Sequence, residues 1–264
     1  KIRINNALNF MTKNFIFILA HQDDEFAIFN ILEKKINEKK NIKVFYLTSG
    51  YRKQINKNKI TPRDKESLKV LVNLGVKKKN IFFLGRKLNI PIYKLHKHLW
   101  DVFGVLYSQI KQTKSILVTH AWEGGNEDHD ACYVLVKKLY HNLKCVTKCY
   151  QFSHYHNYKT GFLPFKVQKH ILREKNIHFK INFRQKIRYI KFLFTYISQR
   201  YLWLPLYPFI IFRILFNDYG KLVEIKKNIY LKRPHEGKLL FEKLRKTNFS
   251  KLLKIFKYFL QNKF

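Results

Sequence analysis

Apolar runs of strand length alternate with stretches of helical spacing through the first half of the chain. Phe15, Ile16, Phe17, Ile18, Leu19 and Ala20 form an unbroken apolar run, the pattern of a strand buried on both faces, and residues 26–35 then carry apolar positions at helical spacing. Residues 42–48 read as a second strand, ended by Ser49-Gly50. Pro62 suits the first turn of a helix that Leu68, Val70, Leu71 and Leu74 continue as far as Gly75. A third strand at 81–84 stops at Gly85; a helix over 92–112, a strand at 116–119, a helix over 130–141 and a strand near 146–152 follow. Strands alternating with helices of this length predict βαβ units and a mostly parallel sheet covered on both faces, an α/β fold.

Beyond about Gly161 the pattern changes to long basic and aromatic stretches. Residues 183–198 have helical spacing. Residues 201–216 are strongly apolar but are interrupted by Pro205, Pro208 and Arg213, and fall short of the roughly 20 residues a membrane span needs. Residues 250–264 read as a basic amphipathic helix: Leu252, Leu253, Phe256, Phe259 and Leu260 share one face, and Lys251, Lys254, Lys257 and Lys263 carry the charge. The expectation is one domain over 1–264, with an α/β core at 14–160 and a C-terminal extension at 161–264 that completes the cleft.

Composition narrows the class. At 46% hydrophobic residues the chain can bury a substantial core, and nine Gly and six Pro against 24 Phe and 16 Tyr exclude collagen-like and low-complexity chains. Cys132, Cys145 and Cys149 are too few for a secreted disulfide framework and lack the companions of a zinc-thiolate site, which favours a reducing compartment. The first six residues lack the apolar stretch of a signal peptide, so a cytoplasmic protein is expected. Against 17 Asp and Glu stand 53 Lys and Arg, a formal charge of +36. Such a surplus draws phosphates of nucleic acid, anionic lipid or a phosphorylated substrate; the bland alternative is the compositional bias of an AT-rich coding sequence. The density is greatest in the last part, where residues 166–264 hold 24 basic and 5 acidic side chains.

The scarce carboxylates say more. Seven of the seventeen fall in two short segments, Asp23-Asp24-Glu25 and the stretch holding Glu123, Glu127, Asp128 and Asp130. His21-Gln22-Asp23-Asp24-Glu25 follows the first strand, and the segment from His120 through His129 to Asp130 follows the strand ending at Thr119. Open α/β sheets bind ligands beyond the carboxyl ends of their strands, so both segments belong to the same rim. Two His and a carboxylate there can surround a divalent metal and leave a position open for water, the ligand count of a catalytic zinc site; capping of the following helices is the alternative.

These residues resemble the zinc-dependent N-acetylglucosaminyl deacetylases of the LmbE-like group, which includes the phosphatidylinositol glycan L enzymes. That family's first motif, Ala-His-Pro-Asp-Asp-Glu, is matched by Ala20-His21-Gln22-Asp23-Asp24-Glu25. Its His-Pro-Asp-His is matched by Asn126-Glu127-Asp128-His129 after Gly124-Gly125. Arg63 and Glu66 sit where the family's Arg-x-x-Glu opens a helix ending in Leu-Gly, here Leu74-Gly75; Lys186, Tyr196 and Ser198-Gln199 resemble its Lys and Tyr-x-Ser-Gln stretch. Pro234-His235-Glu236-Gly237 is similar to a late element of some bacterial members. The resemblance implies a Rossmann-like three-layer fold. By position it implies that His21, Asp24 and His129 bind Zn2+ (Fe2+ being suited by the same donors) and that Asp23 is the general base. Glu25, by contrast, reads as a first-turn helix carboxylate, and Glu123 and Asp130 as structural or supporting groups.

Two departures matter. Gln22 replaces the motif's Pro, which removes no ligand. Asn126 replaces the first His of the second motif, a side chain implied to steady the oxyanion with Asp128 in support; losing one such donor elsewhere costs about 10²–10³ in rate. His235 is the candidate to stand in for it, a surface loop being the alternative, and Asp128 is then expected to orient His129. Arg63 is either a substrate contact or an ion-pair partner of Glu66 one turn on. His154 and His156 read as an edge and are left out of the site. The implied activity is hydrolysis of the N-acetyl group of an N-acetylglucosamine-type sugar on a lipid or glycan, a linear amide. The basic C-terminal region, above all the helix at 250–264, is then expected to lie on an anionic membrane at the cytoplasmic face. The alternatives are an impaired member that binds glycan or anionic lipid without turnover, and a nucleic-acid-binding protein; no nucleic-acid motif is present, and nucleic acid is not expected as a partner.

Overall fold

The computed structural model describes residues 14–171, 176–216 and 218–262; the first six residues, read above for a leader, lie outside them, as does Lys263. The strands are β1 (Asn14–Leu19), β2 (Asn41–Tyr46), β3 (Ile81–Phe83), β4 (Ser115–His120), β5 (Val146–Phe152), β6 (Tyr155–His156), β7 (Lys166–Val167), β8 (Ile177–His178) and β9 (Lys221–Glu224). The longer helices are α1 (Phe29–Asn37), α2 (Pro62–Leu74), α3 (Leu99–Ile110), α4 (Glu127–Asn142), α5 (Phe183–Leu193), α6 (Tyr207–Leu215) and α7 (Phe249–Gln261). A seven-stranded sheet runs in the order β3-β2-β1-β4-β5-β9-β8, parallel from β3 to β5 and antiparallel at β9 and β8, while β6 and β7 pair separately. The five strands predicted from apolar runs all form.

Alternate residues of β1 go to opposite faces, as a pleated strand requires. Ile16 and Ile18 join the core beneath α3, α4 and α7, whereas Phe15, Phe17 and Leu19 join the core beneath α1, α2, α5 and α6. Three layers result, the Rossmann-like arrangement expected. Thr61 and Asp64 close a capping box at the start of α2, and Gly75 ends it at φ 105°, a conformation that favours glycine.

The differences from the expected elements have local causes. The helix expected over 92–112 begins only at Leu99, because Tyr93 is held at φ 65° and its N–H, with that of Leu95, is donated to Asp128 instead of to a helical ladder. Conversely α4 begins at Glu127, three residues early, because Asn126 caps it by accepting from the Asp128 N–H at 2.9 Å. β8 and β9 are too short to show a period and exist by pairing.

The C-terminal residues are woven into both faces of the sheet. On α7, Phe249, Leu252, Phe256, Phe259 and Leu260 are buried in the core shared with α3 and α4. The stripe read above as membrane-facing is therefore spent inside the protein, since one apolar stripe at helical spacing serves either partner. Among the described residues no helix is long and apolar enough to cross a membrane.

Candidate metal centre and cleft

The strand order reverses between β1 and β4, which places the crevice of the sheet at their carboxyl ends. His21 to Glu25 leave β1 there, His120 ends β4, His129 stands in the first turn of α4, and His154 follows β5. All are buried. Asp23 is held at φ 113°, a region costly for any side chain, and the strain has a visible support: its N–H is donated to Glu25 Oε2 at 3.1 Å. That kink sends the neighbouring carboxylates apart. Asp24 turns to the histidines; Asp23 turns to Arg63 (3.3 Å) and to the indole N–H of Trp203 (3.1 Å).

Asp24 is the hub. One carboxylate oxygen lies 3.2 Å from His129 Nε2 and 3.8 Å from His154 Nε2, and the other lies 3.1 Å from His120 Nε2 and accepts the His21 N–H at 2.6 Å. His21 Nδ1 is 3.6 Å from Asp24 and 3.3 Å from His129 Nε2. The outer nitrogen of His21 is fixed by Asp128 at 3.0 Å, and Asp128 itself is anchored by the Tyr93 and Leu95 N–H groups. The structure thus gives Asp128 to His21, not to His129 as expected, because His129 one position further along α4 faces Asp24 and stacks on His120 with ring centroids 3.9 Å apart.

Electrostatics separate the two carboxylates. Burial by itself would raise Asp24, but His129, His120 and His21 outweigh it and hold the group well below the carboxylate range. Burial pushes Asp23 up to about 6, with Arg63 opposing. His129 is driven down to about 3 by burial and then by the adjacent His120 charge, and His154 is likewise lowered. His21 goes the other way, to about 10, because Asp24 and Asp128 overcome its burial.

Asp24, His120, His129 and His154 each offer a ligand atom, all within 4.8 Å of one another. The donor set suits a divalent metal ion: imidazole nitrogens held neutral around one ionised carboxylate. Ala20 N–H is donated to His120 Nε2 (3.2 Å), and the Nδ1 atoms of His120, His129 and His154 have no hydrogen-bond partner. His120 and His154 were not in the predicted ligand set. The signal that reaches them is position: both stand at the carboxyl ends of strands adjoining β1 and β4.

The centre lies at the floor of a cavity of about 250 Å³ walled by Arg63, Asn126, Tyr155 and Trp203 among others, with Leu202, Leu206 and Leu244 from the C-terminal part. Arg63 donates to the Gly50 and Gln22 carbonyls as well as facing Asp23, whereas Glu66 binds Ser198, so the alternative Arg63–Glu66 pair is not made. Gln22 donates to Asp64 at 2.8 Å. Asn126 Nδ2 reaches the Tyr155 hydroxyl at 3.4 Å. Glu123, raised to about 8 by burial, accepts from Ser153 Oγ and from the His154 and Tyr155 N–H groups, while Asp130 accepts from those of Glu123 and Gly124. Gly125 is required by space, since a Cβ there would meet the Tyr155 carbonyl at 1.9 Å. His235 packs on Tyr158 and is not among the residues lining the cavity.

Residues 16–140 match the sequence model "PIG-L: GlcNAc-PI de-N-acetylase". No curated protein matches the chain. Among solved structures, a deacetylase triple mutant of the teicoplanin biosynthetic pathway is 16% identical, with 81% of this chain and all of that one covered at a TM-score of 0.58. The zinc-inhibited form of teicoplanin deacetylase Orf2 is 15% identical with the same coverage, TM-score 0.57. N,N'-diacetylchitobiose deacetylase from Pyrococcus horikoshii is 14% identical over 81% of this chain and 84% of its own, TM-score 0.57. At these identities the likeness is one of fold.

Proposed function

Residues 16–140 match the PIG-L family, and from that premise we propose that the chain is a zinc-dependent N-deacetylase of an N-acetylglucosamine-type amino sugar carried on a lipid or glycan. The observation that carries this reading is the divergence of two adjacent buried carboxylates, Asp24 into the histidine cluster and Asp23 across the cavity wall. The solved structures similar in fold include N,N'-diacetylchitobiose deacetylase and a deacetylase of the teicoplanin biosynthetic pathway, which supports the same chemistry.

His21, Asp24 and His129 hold the metal in this reading. His21 Nδ1 lies 3.3 Å from His129 Nε2, each approaches a different oxygen of the Asp24 carboxylate (3.6 and 3.2 Å), and Asp128 supplies the carboxylate–histidine support that fixes the ring of a metal-bound His. A bound zinc ion supplies a water of lowered pKa and polarises the acetamide carbonyl. Asp23, free of the histidines, accepts the proton of the attacking water and returns it to the departing amine, so acetate and the free amino sugar leave. Asn126 Nδ2, on the cavity side of α4, is the donor available to the oxyanion, and Arg63 both restrains Asp23 and offers its guanidinium to the sugar. His120 and His154 back the cluster from the sheet.

Zinc content and acetate release separate the roles. His21→Ala is expected to lose the metal, and Asp23→Ala to keep it while losing about 10²–10⁴ of the rate. If His21→Ala retains zinc while His120→Ala and His154→Ala lose it, the ligands are Asp24, His120, His129 and His154. If Asp23→Ala is as active as the parent, Asp23 is not the base.

A further inference from the structure

We propose that the outer wall of the cavity, residues 194–204, is a docking face for an anionic lipid bilayer, so that substrate enters the cleft from the membrane surface. Docking deepens the deacetylase reading and rests on it only for its purpose.

The wall is two-sided. Inward, Trp203 binds Asp23, and Leu202, Trp203, Pro205 and Leu206 line the cavity. Outward, Ile197, Tyr201 and Leu204 are 65, 78 and 67% exposed. Their spacing of i, i+4 and i+7 through the turn Ile197–Gln199 and the short helix Arg200–Trp203 puts them on one face. Phe194, before the turn, is also exposed. Large apolar side chains gathered in this way mark an interaction site.

Charge identifies the partner. Residues 181–216 contain six Lys and Arg and no Asp or Glu, and Arg184, Lys191 and Arg200 are exposed. The exposed charges of the segment itself are therefore all cationic, which suits an anionic headgroup layer, and the one carboxylate that reaches its turn, Glu66, is engaged by the N–H and hydroxyl of Ser198. The apolar residues then enter the headgroup and acyl boundary beside the mouth of the cleft. The competing membrane face of the chain, the stripe on α7, is buried.

The zinc-loaded protein is tested by co-sedimentation with phosphatidylcholine vesicles with and without phosphatidylglycerol. The parent should bind the anionic vesicles and release from them as salt rises. The triple variant Ile197→Ser, Tyr201→Ser, Leu204→Ser should bind at least about tenfold more weakly while keeping zinc content and acetate release from a water-soluble N-acetylglucosamine oligomer, these side chains pointing away from the cleft. Docking is overturned if the parent sediments equally with both vesicle types, if the triple variant binds as the parent does, or if binding is lost instead in Lys254→Glu with Lys257→Glu on the exposed side of α7. Vesicle binding that follows the triple variant in a protein inert toward every soluble substrate upholds docking and overturns the deacetylase reading.

Discussion

Replacing Lys138 with methionine should loosen α7 from the rest of the protein. Lys138 lies on α4 with 2% of its surface exposed and, among the described residues, without a carboxylate partner. Its ammonium instead donates to the Phe259 and Asn262 carbonyls at 2.7 and 2.6 Å, and reaches that of Leu260 at 3.5 Å, at the end of α7 where the helix dipole is negative. The rings of Trp100, Phe103 and Phe259 stand 4.8, 5.6 and 4.9 Å from the charge. Burial lowers the ammonium's pKa, which shows that its desolvation opposes these contacts. Two charge-assisted bonds contribute about 1.5–3 kcal/mol each before that cost, so a net loss of about 2–3 kcal/mol is expected. Methionine is nearly isosteric, which keeps a cavity from adding to the figure. For a chain of this size the midpoint of thermal unfolding should fall by roughly 5–10 °C. Urea or thermal melts, with limited proteolysis across residues 249–261 below the transition, measure it. An unchanged midpoint with no new cleavage in α7 would refute the view that this buried cation ties the helix down.

Other outcomes follow from single contacts. Asn126→Asp keeps the cap on α4 but removes the Nδ2 donor, so stability should hold while acetate release falls about 10²–10³-fold; Asn126→Ala should in addition cost about 1 kcal/mol in melts. Gly125→Ala must displace the Tyr155 backbone and with it His154, and a weakened zinc affinity by competition with a chelator is expected. Glu33 joins α1 to Arg188, Tyr189 and Gln185 of α5; burial would raise its pKa, but these partners outweigh it and lower it. Its stabilisation is therefore complete above the unfolded carboxylate range and is lost as pH falls through the lower folded value. Glu33→Gln should be less stable than the parent at neutral pH and should lose less on acidification, read from unfolding midpoints between pH 7 and 3.

The layered fold and the location of the chemistry were legible along the chain. Residues 15–20 are apolar without alternation, which only a strand buried on both faces tolerates, and the acidic segments follow strands, where an α/β sheet opens. What only the tertiary structure decided is what each polar side chain meets. His120 and His154 come from different strand ends and converge on Asp24 and His129 because β4 is flanked by β1 and β5; the residues on either side of them do not set them apart from His156 or His235. Asp128 serves His21 across a gap of 107 residues, and Arg63 turns from its helical neighbour Glu66 to Asp23. The same holds for apolar faces. The stripe on α7 and the one at 197–204 look alike as patterns, yet one is covered by Trp100, Phe103 and their neighbours and the other is not. Periodicity is a property of a segment and fixes which residues share a face; what that face meets depends on strand order and packing between segments distant in sequence.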